Sequence, residues 1–230
     1  MDVLRQLVAE QRRCFIQPRS FFIAWCGVPM LTYNGFPNAI LDLKNQIETH
    51  IPRLTEENPG SKWPGTTLGA LREGHLLSFE ELRILRQICT DFEPEIRAMQ
   101  AVFAINELQY ILFGCRSLER RLLTTPLPLH HGRYDTSDLP RKHKNWVQHI
   151  HAQFDENRLA DYLPAVQQPG HHISHYRNTH VEGTLVFDLP PEQPDYIERF
   201  IEAVNRALPD RYTWFEPSAR HITIRALAFK

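Results

Sequence analysis

The chain has 230 residues, 42% of them apolar and 23% charged, with a formal net charge of -1. That length can bury a sizeable core in one large domain or two small ones, and the near-neutral balance excludes a global pull toward nucleic acid or acidic membranes, so an anionic ligand must be held by a local patch. No run approaches the roughly 18 apolar residues needed to span a bilayer, and Cys14, Cys26, Cys89 and Cys115 form no C-x-x-C pair, which leaves no zinc-knuckle or disulfide signature.

In chain order, Val3, Leu4, Leu7 and Val8 among polar neighbours predict a short amphipathic helix within residues 2–15, before Pro18. Phe21 to Cys26 is bulky and apolar and ends before Pro29 and the Asn34-Gly35 pair, the pattern of a buried strand. Ile40, Leu43, Ile47 and Ile51 recur at three- and four-residue steps on a helix that must stop at Pro52. After a polar connector, Trp63 to Leu71 reads as a strand whose two glycines mark a bulge or a close ligand approach. Ser78 and Glu81 form a capping box ahead of Phe79, Leu82, Leu85, Cys89 and Phe92, a helix expected to end near Pro94. Ala101 to Ile105 and Gln109 to Phe113 outline a hairpin.

Residues 116–179 form the least regular stretch and read as an insertion, with Thr124 to Pro128 a Pro-rich break. Nine of the twelve histidines fall between Arg116 and His180. Arg141 to Lys144 is a basic cluster beside Trp146, and Trp146 to Leu163 has helical spacing. The chain then returns to order. Gly183 to Asp188 predicts a strand, Asp195 to Leu208 a helix with Ile197, Phe200, Ile201, Val204 and Leu208 on one face, and Arg220 to Phe229 a final strand.

Two of these segments are worn copies of each other. Gly65-Thr-Thr-Leu-Gly-Ala-Leu71 matches His221-Ile-Thr-Ile-Arg-Ala-Leu227, and each closes a strand, helix, motif-strand series. Alternation along the second copy sends His221 and Thr223 to one face and Ile222 and Ile224 to the other. A histidine titrates near neutrality and can move a proton at an attacking or leaving oxygen, and a threonine hydroxyl can hydrogen-bond a nonbridging phosphate oxygen. Thr67 offers a second such hydroxyl.

Over residues 21–115 and 183–229 this pattern resembles the 2H phosphoesterases, which include the bacterial RNA 2',5'-ligase-like proteins and the cyclic nucleotide phosphodiesterases. The resemblance implies an α+β fold with two pseudo-repeated lobes and antiparallel sheets facing a central cleft, each lobe giving one His-x-[Thr/Ser] strand. It divides the chain into a first lobe over 21–115, a His-rich insertion over 116–180 and a second-lobe motif segment over 181–230, together one bilobal domain. The second motif maps onto His221, Thr223 and Arg225, and the first onto Gly65 to Leu68, where Thr67 fits and Gly65 stands in place of the histidine.

The ligand so implied is a phosphodiester, such as a 2',3'-cyclic nucleotide or an RNA end. His172 or His175 is expected to replace the missing histidine, because their loop precedes the second-half strand. Trp63 and Trp214 are candidate stacking surfaces and Arg225 a phosphate partner. The alternative is a nucleotide-binding, RNA-binding or protein-interaction module with a decayed site. Pairs such as His171/His175 have spacings that can converge on zinc, but no cysteine or carboxylate completes a signature, so neither metal nor cofactor is expected. Without an apolar leader in residues 1–16 the expected compartment is the cytoplasm.

Overall fold

The leucine-and-valine stripe near the start does form a helix, but a short one. In the computed structural model, which describes residues 1–99 and 102–228, α1 covers Asp2–Ala9 and buries Leu4, Leu7 and Val8. The expected continuation toward residue 15 is instead β1 (Arg12–Ile16), followed by β2 (Pro18–Ile23) and β3 (Pro29–Tyr33). The β2–β3 reversal passes through Cys26 and Gly27, both at positive φ. A Cβ on Gly27 would also lie 2.7 Å from Leu71 Cδ1, so glycine satisfies both the backbone and the space.

The isoleucine–leucine stripe becomes α2 (Asn38–His50), with Ile40, Leu43 and Ile47 fully buried. The predicted strand over 63–71 splits into β4 (Gly65–Thr67) and β5 (Gly69–Leu71), which pair with β3 and with a later strand respectively. Of the two glycines, Gly69 marks a close approach by protein rather than by ligand, since a Cβ there would lie 2.6 Å from the Thr213 carbonyl oxygen.

The Ser78 capping box forms with both reciprocal bonds. The helix it starts, α3 (Phe79–Met99), runs through Pro94 rather than stopping there. Beyond the proline, buried Ile96 and the Glu93–Arg97 pair hold the last turn, so packing outweighs the ~3 kcal/mol helix penalty of an interior proline.

The expected hairpin over 101–113 is absent. β6 (Phe103–Ile105) and β7 (Glu107–Phe113) are separated by Asn106 alone, too short a link for a hairpin turn, and the chain passes there from one sheet to another. Ala101, the expected first residue of this strand, lies outside the described residues.

The stretch read as irregular is largely ordered. It supplies β8 (Arg121–Pro128), β9 (His130–Asp135), α4 (Arg141–His151), α5 (Leu159–Val166) and α6 (Ile173–Arg177). Then follow β10 (Glu182–Asp188), α7 (Tyr196–Ala207), β11 (Tyr212–Trp214) and β12 (His221–Ala226); the first two match the predicted strand and helix, while the predicted final strand ends at Ala226 and its expected last residue, Phe229, lies outside the described residues.

The fold is α+β. A three-stranded sheet has the order β2-β3-β4, a four-stranded sheet β12-β10-β7-β8, and a third β6-β1-β9, with β11 and β5 as a separate pair. β3 and β4 are antiparallel and joined through α2, while β10 and β12 are antiparallel and joined through α7. The two motif strands, β4 and β12, are edges of different sheets and lie beside each other. On α7, Ile197, Phe200 and Val204 are fully buried, each worth about 1.5–3 kcal/mol of transfer free energy, and Phe200 stacks on Phe21 of β2 with ring centroids 3.8 Å apart.

No described helix is long and apolar enough to cross a membrane.

Candidate functional site

Alternation on β4 buries Thr66, whose hydroxyl bonds the Tyr33 hydroxyl at 2.8 Å, and turns Thr67 the other way. On β12 the same rule sends Ile222 into the core and leaves Thr223 half-buried. Thr67 and Thr223 line one cavity of about 600 Å³.

His175 lines that cavity too, with His171, Arg116 and Tyr176. Short α6 is held at several points. His172 Nε2–H donates to the His75 carbonyl at 3.0 Å, the Ser174 amide donates to Glu73 at 2.8 Å, and Arg177 makes two 2.8 Å bonds to Glu119. Thus anchored, α6 carries the His175 ring stacked on His171 with centroids 4.5 Å apart. Burial first, then His171, Arg116 and His180, push the His175 imidazole down to about 4, and burial with Arg116 lowers His171. At neutral pH the His175 ring is therefore uncharged, and the local positive charge is that of Arg116.

Aromatic rings complete the walls. Trp25, carried on the strained β2–β3 turn, is 43% exposed, whereas Trp63 is buried at 6%. Tyr162 is fixed by its hydroxyl, which donates to the Ile23 carbonyl at 2.9 Å.

His221 does not line this cavity. It sits two residues back along β12, roughly 7 Å for one pleat repeat, opposite Asp188, which Arg121 holds by two bonds of 2.7 and 2.8 Å. Its Nδ1–H donates to the Ala219 carbonyl at 2.7 Å. Because a carbonyl can only accept, Nε2 is left as the nitrogen able to take a proton. Burial lowers its pKa, opposed by the Ala219 bond and Asp188, with Arg121 lowering it further.

Three further expected residues are engaged elsewhere. His172 is turned to the His75 carbonyl, and the Trp214 indole donates to Asn205 at 2.8 Å; neither lines the cavity. Arg225 is buried, donating to the carbonyls of Thr55 and Ala226. Strict alternation would have placed it on the face of His221 and Thr223. A bulge breaks the register between Leu185 and Val186, so Ile224 and Arg225 are both buried.

The sequence reading missed Arg116, Trp25, Tyr162 and Tyr176. No local motif marks them, because loop and helix packing alone brings them to the two threonines. His171 carried one signal, its four-residue spacing from His175, which produces a ring stack. Among the described residues, no group of three or more His, Cys, Asp or Glu side chains is placed to hold a metal ion.

Gly65 is beside the cavity, and a Cβ built on it would overlap the Met30 Cε methyl. No family model, curated protein or solved structure matches the chain.

Proposed function

We propose that the chain is a bilobal, 2H phosphoesterase-like protein whose cavity takes a phosphodiester, such as a 2',3'-cyclic nucleotide or an RNA end. The observation that carries this reading is the presence of Thr67 and Thr223, from edge strands of two different sheets, on the wall of one cavity with His175 and Arg116. The paired β3–α2–β4 and β10–α7–β12 units, each antiparallel and each ending in a motif strand, support two matched lobes.

In this reading both threonine hydroxyls donate to nonbridging oxygens and Arg116 offsets their charge. The exposed face of Trp25 accepts a base by stacking. Hydrolysis needs a group that moves a proton at each end of an in-line displacement. Neutral His175, on the cavity wall, is one imidazole for that work, standing in for the histidine that Gly65 lacks; His221 Nε2, about 7 Å along β12 from Thr223 and outside the lining, is the second and serves only a ligand that extends along β12 past the cavity.

A binding module is the second reading, favoured by Met30 filling the space beside Gly65. The test measures binding and turnover of 2',3'-cyclic nucleotides and short RNAs by wild type, His221→Ala, His175→Ala and Thr67→Val/Thr223→Val. Turnover lost in either histidine variant supports the enzyme, and binding without turnover supports the module. If wild type neither binds nor cleaves, or if the threonine pair is dispensable for binding, the phosphodiester reading fails.

A further inference from the structure

A second cavity, of about 540 Å³, opens between β2, one side of α3 from Arg86 to Arg97, and the end of α4 with the turn after it. Buried Phe22 contributes to the walls of both cavities. The walls of this one carry Arg19 from β2, Arg86 and Arg97 from α3, and His151 from the end of α4, together with the carboxylates Glu93 and Asp155.

The carboxylates do not account for the cations. Arg97 pairs with Glu93 at 3.1 Å, whereas Arg86, whose Nη1 donates to the Thr90 hydroxyl and whose guanidinium lies over the Phe154 ring, stands 3.8 Å from Glu93 and 3.9 Å from Asp155, beyond hydrogen-bond length. Half-buried Arg19 makes no ion pair or side-chain hydrogen bond among the described residues. Arg86 Nε and His151 Nε2 are buried and lack any hydrogen-bond partner among those residues. Native interiors leave few such groups unsatisfied.

We propose that this cavity is a binding site for a small phosphorylated ligand, with Arg19 as its principal anchor and Arg86 Nε and His151 Nε2 as further contacts. The donors stand on different elements around one space, which suits the several oxygens of a tetrahedral phosphate better than the two coplanar oxygens of a carboxylate. The volume is that of a small-molecule site. His151 fits this role, for burial and then the charges of Arg19 and Arg86 drive its imidazole down to about 3. A bound dianion offsets the cationic part of that penalty, so the ring gains proton affinity on binding.

Inorganic pyrophosphate is the probe, titrated at constant ionic strength against chloride and followed by calorimetry and the His151 imidazole NMR signal. Wild type is expected to bind at millimolar concentration or below, with the His151 signal shifting. Arg19→Gln should bind roughly 10- to 100-fold more weakly, the range for loss of a charge-assisted bond, while Arg83→Gln, at an exposed arginine of α3 outside both cavities, binds as wild type does. Should Arg19→Gln fail to fold, Arg97→Gln, at a side chain 77% exposed, removes one cation from the cavity and should weaken binding several-fold. Absence of binding at millimolar pyrophosphate overturns the proposal. So does binding that survives the changes at Arg19 and Arg97, or that weakens as much in Arg83→Gln.

Discussion

Met30 fills the space that a side chain at Gly65 would enter: its Cε methyl overlaps the position of a Cβ there. The two residues lie on adjacent strands, with Met30 paired to Thr67, two places along from Gly65. The first copy of the motif thus lacks an imidazole and also the room for one. A thioether end is flexible, so a methyl at position 65 should be tolerated, but an imidazole must drive Met30 out. Gly65→His is expected to cost about 1–3 kcal/mol by overpacking, and Met30→Ala in the same chain should recover most of it. Urea denaturation of the two variants checks this. In the phosphodiester reading the double variant also gains hydrolysis of 2',3'-cyclic nucleotides, by about 10²-fold or more if position 65 supplies a general acid or base.

A buried cation ties the cavity wall to the second motif strand. Lys44 of α2, 8% exposed like its partner Glu57, pairs with that carboxylate and donates to the carbonyls of Ser61 and Ile224 at 2.9 and 2.7 Å. Ser61 lines the Thr67/Thr223 cavity and Ile224 follows Thr223 in β12. Lys44→Met leaves Glu57 buried without its counter-charge, and the expected loss is about 3–5 kcal/mol. Lys44→Met/Glu57→Gln should recover a substantial part. Equal destabilisation of the single and double variants would mean that the two carbonyl bonds, rather than the ion pair, carry the effect.

The start of α3 tests a purely local signal. Ser78 Oγ accepts from the Glu81 amide at 3.2 Å, and Glu81 accepts from the Ser78 amide at 2.8 Å. Ser78→Ala should cost about 1 kcal/mol, read as a lowered urea midpoint with unchanged slope.

That contrast explains what was legible in the chain. The capping box, the stripes of α2 and α7 and the strand character of β10 and β12 are local periodicities, and each forms where the pattern places it. β8 was hidden by Pro126 and Pro128, which read as a break. They are accommodated because β8 is the outer strand of its sheet, where one row of backbone donors has no neighbour. The site was legible to the same depth. Thr67 and Thr223 follow from alternation, whereas Arg116 and Trp25 reach them only through packing between distant segments, and the Arg225 side chain was redirected by a bulge that alternation does not foresee.

The pH dependence of stability should carry the signature of His151. Its ring lies 5.0 Å from Phe22 and 6.4 Å from Trp63 by centroid, and in the fold its pKa falls from 6.5 to about 3, through burial and then Arg19 and Arg86. As pH drops below 6.5 the unfolded chain takes up this proton first. The stabilisation from keeping the ring neutral is therefore whole above 6.5 and lost progressively down to about 3. One proton sets a limit of about 1.4 kcal/mol per pH unit on the slope. His151→Phe keeps an aromatic ring between Phe22 and Trp63 but cannot titrate, so its stability should diverge upward from that of wild type below pH 6.5. His143, His171, His175 and His221 are lowered as well, and their same-signed contributions, common to both proteins, cancel in the difference. Urea titrations at a series of pH values make the comparison. Parallel curves would show that His151 titrates alike in the folded and unfolded chain, whereas added pyrophosphate, by raising the folded-state pKa of the wild-type ring, should narrow the gap between the two curves.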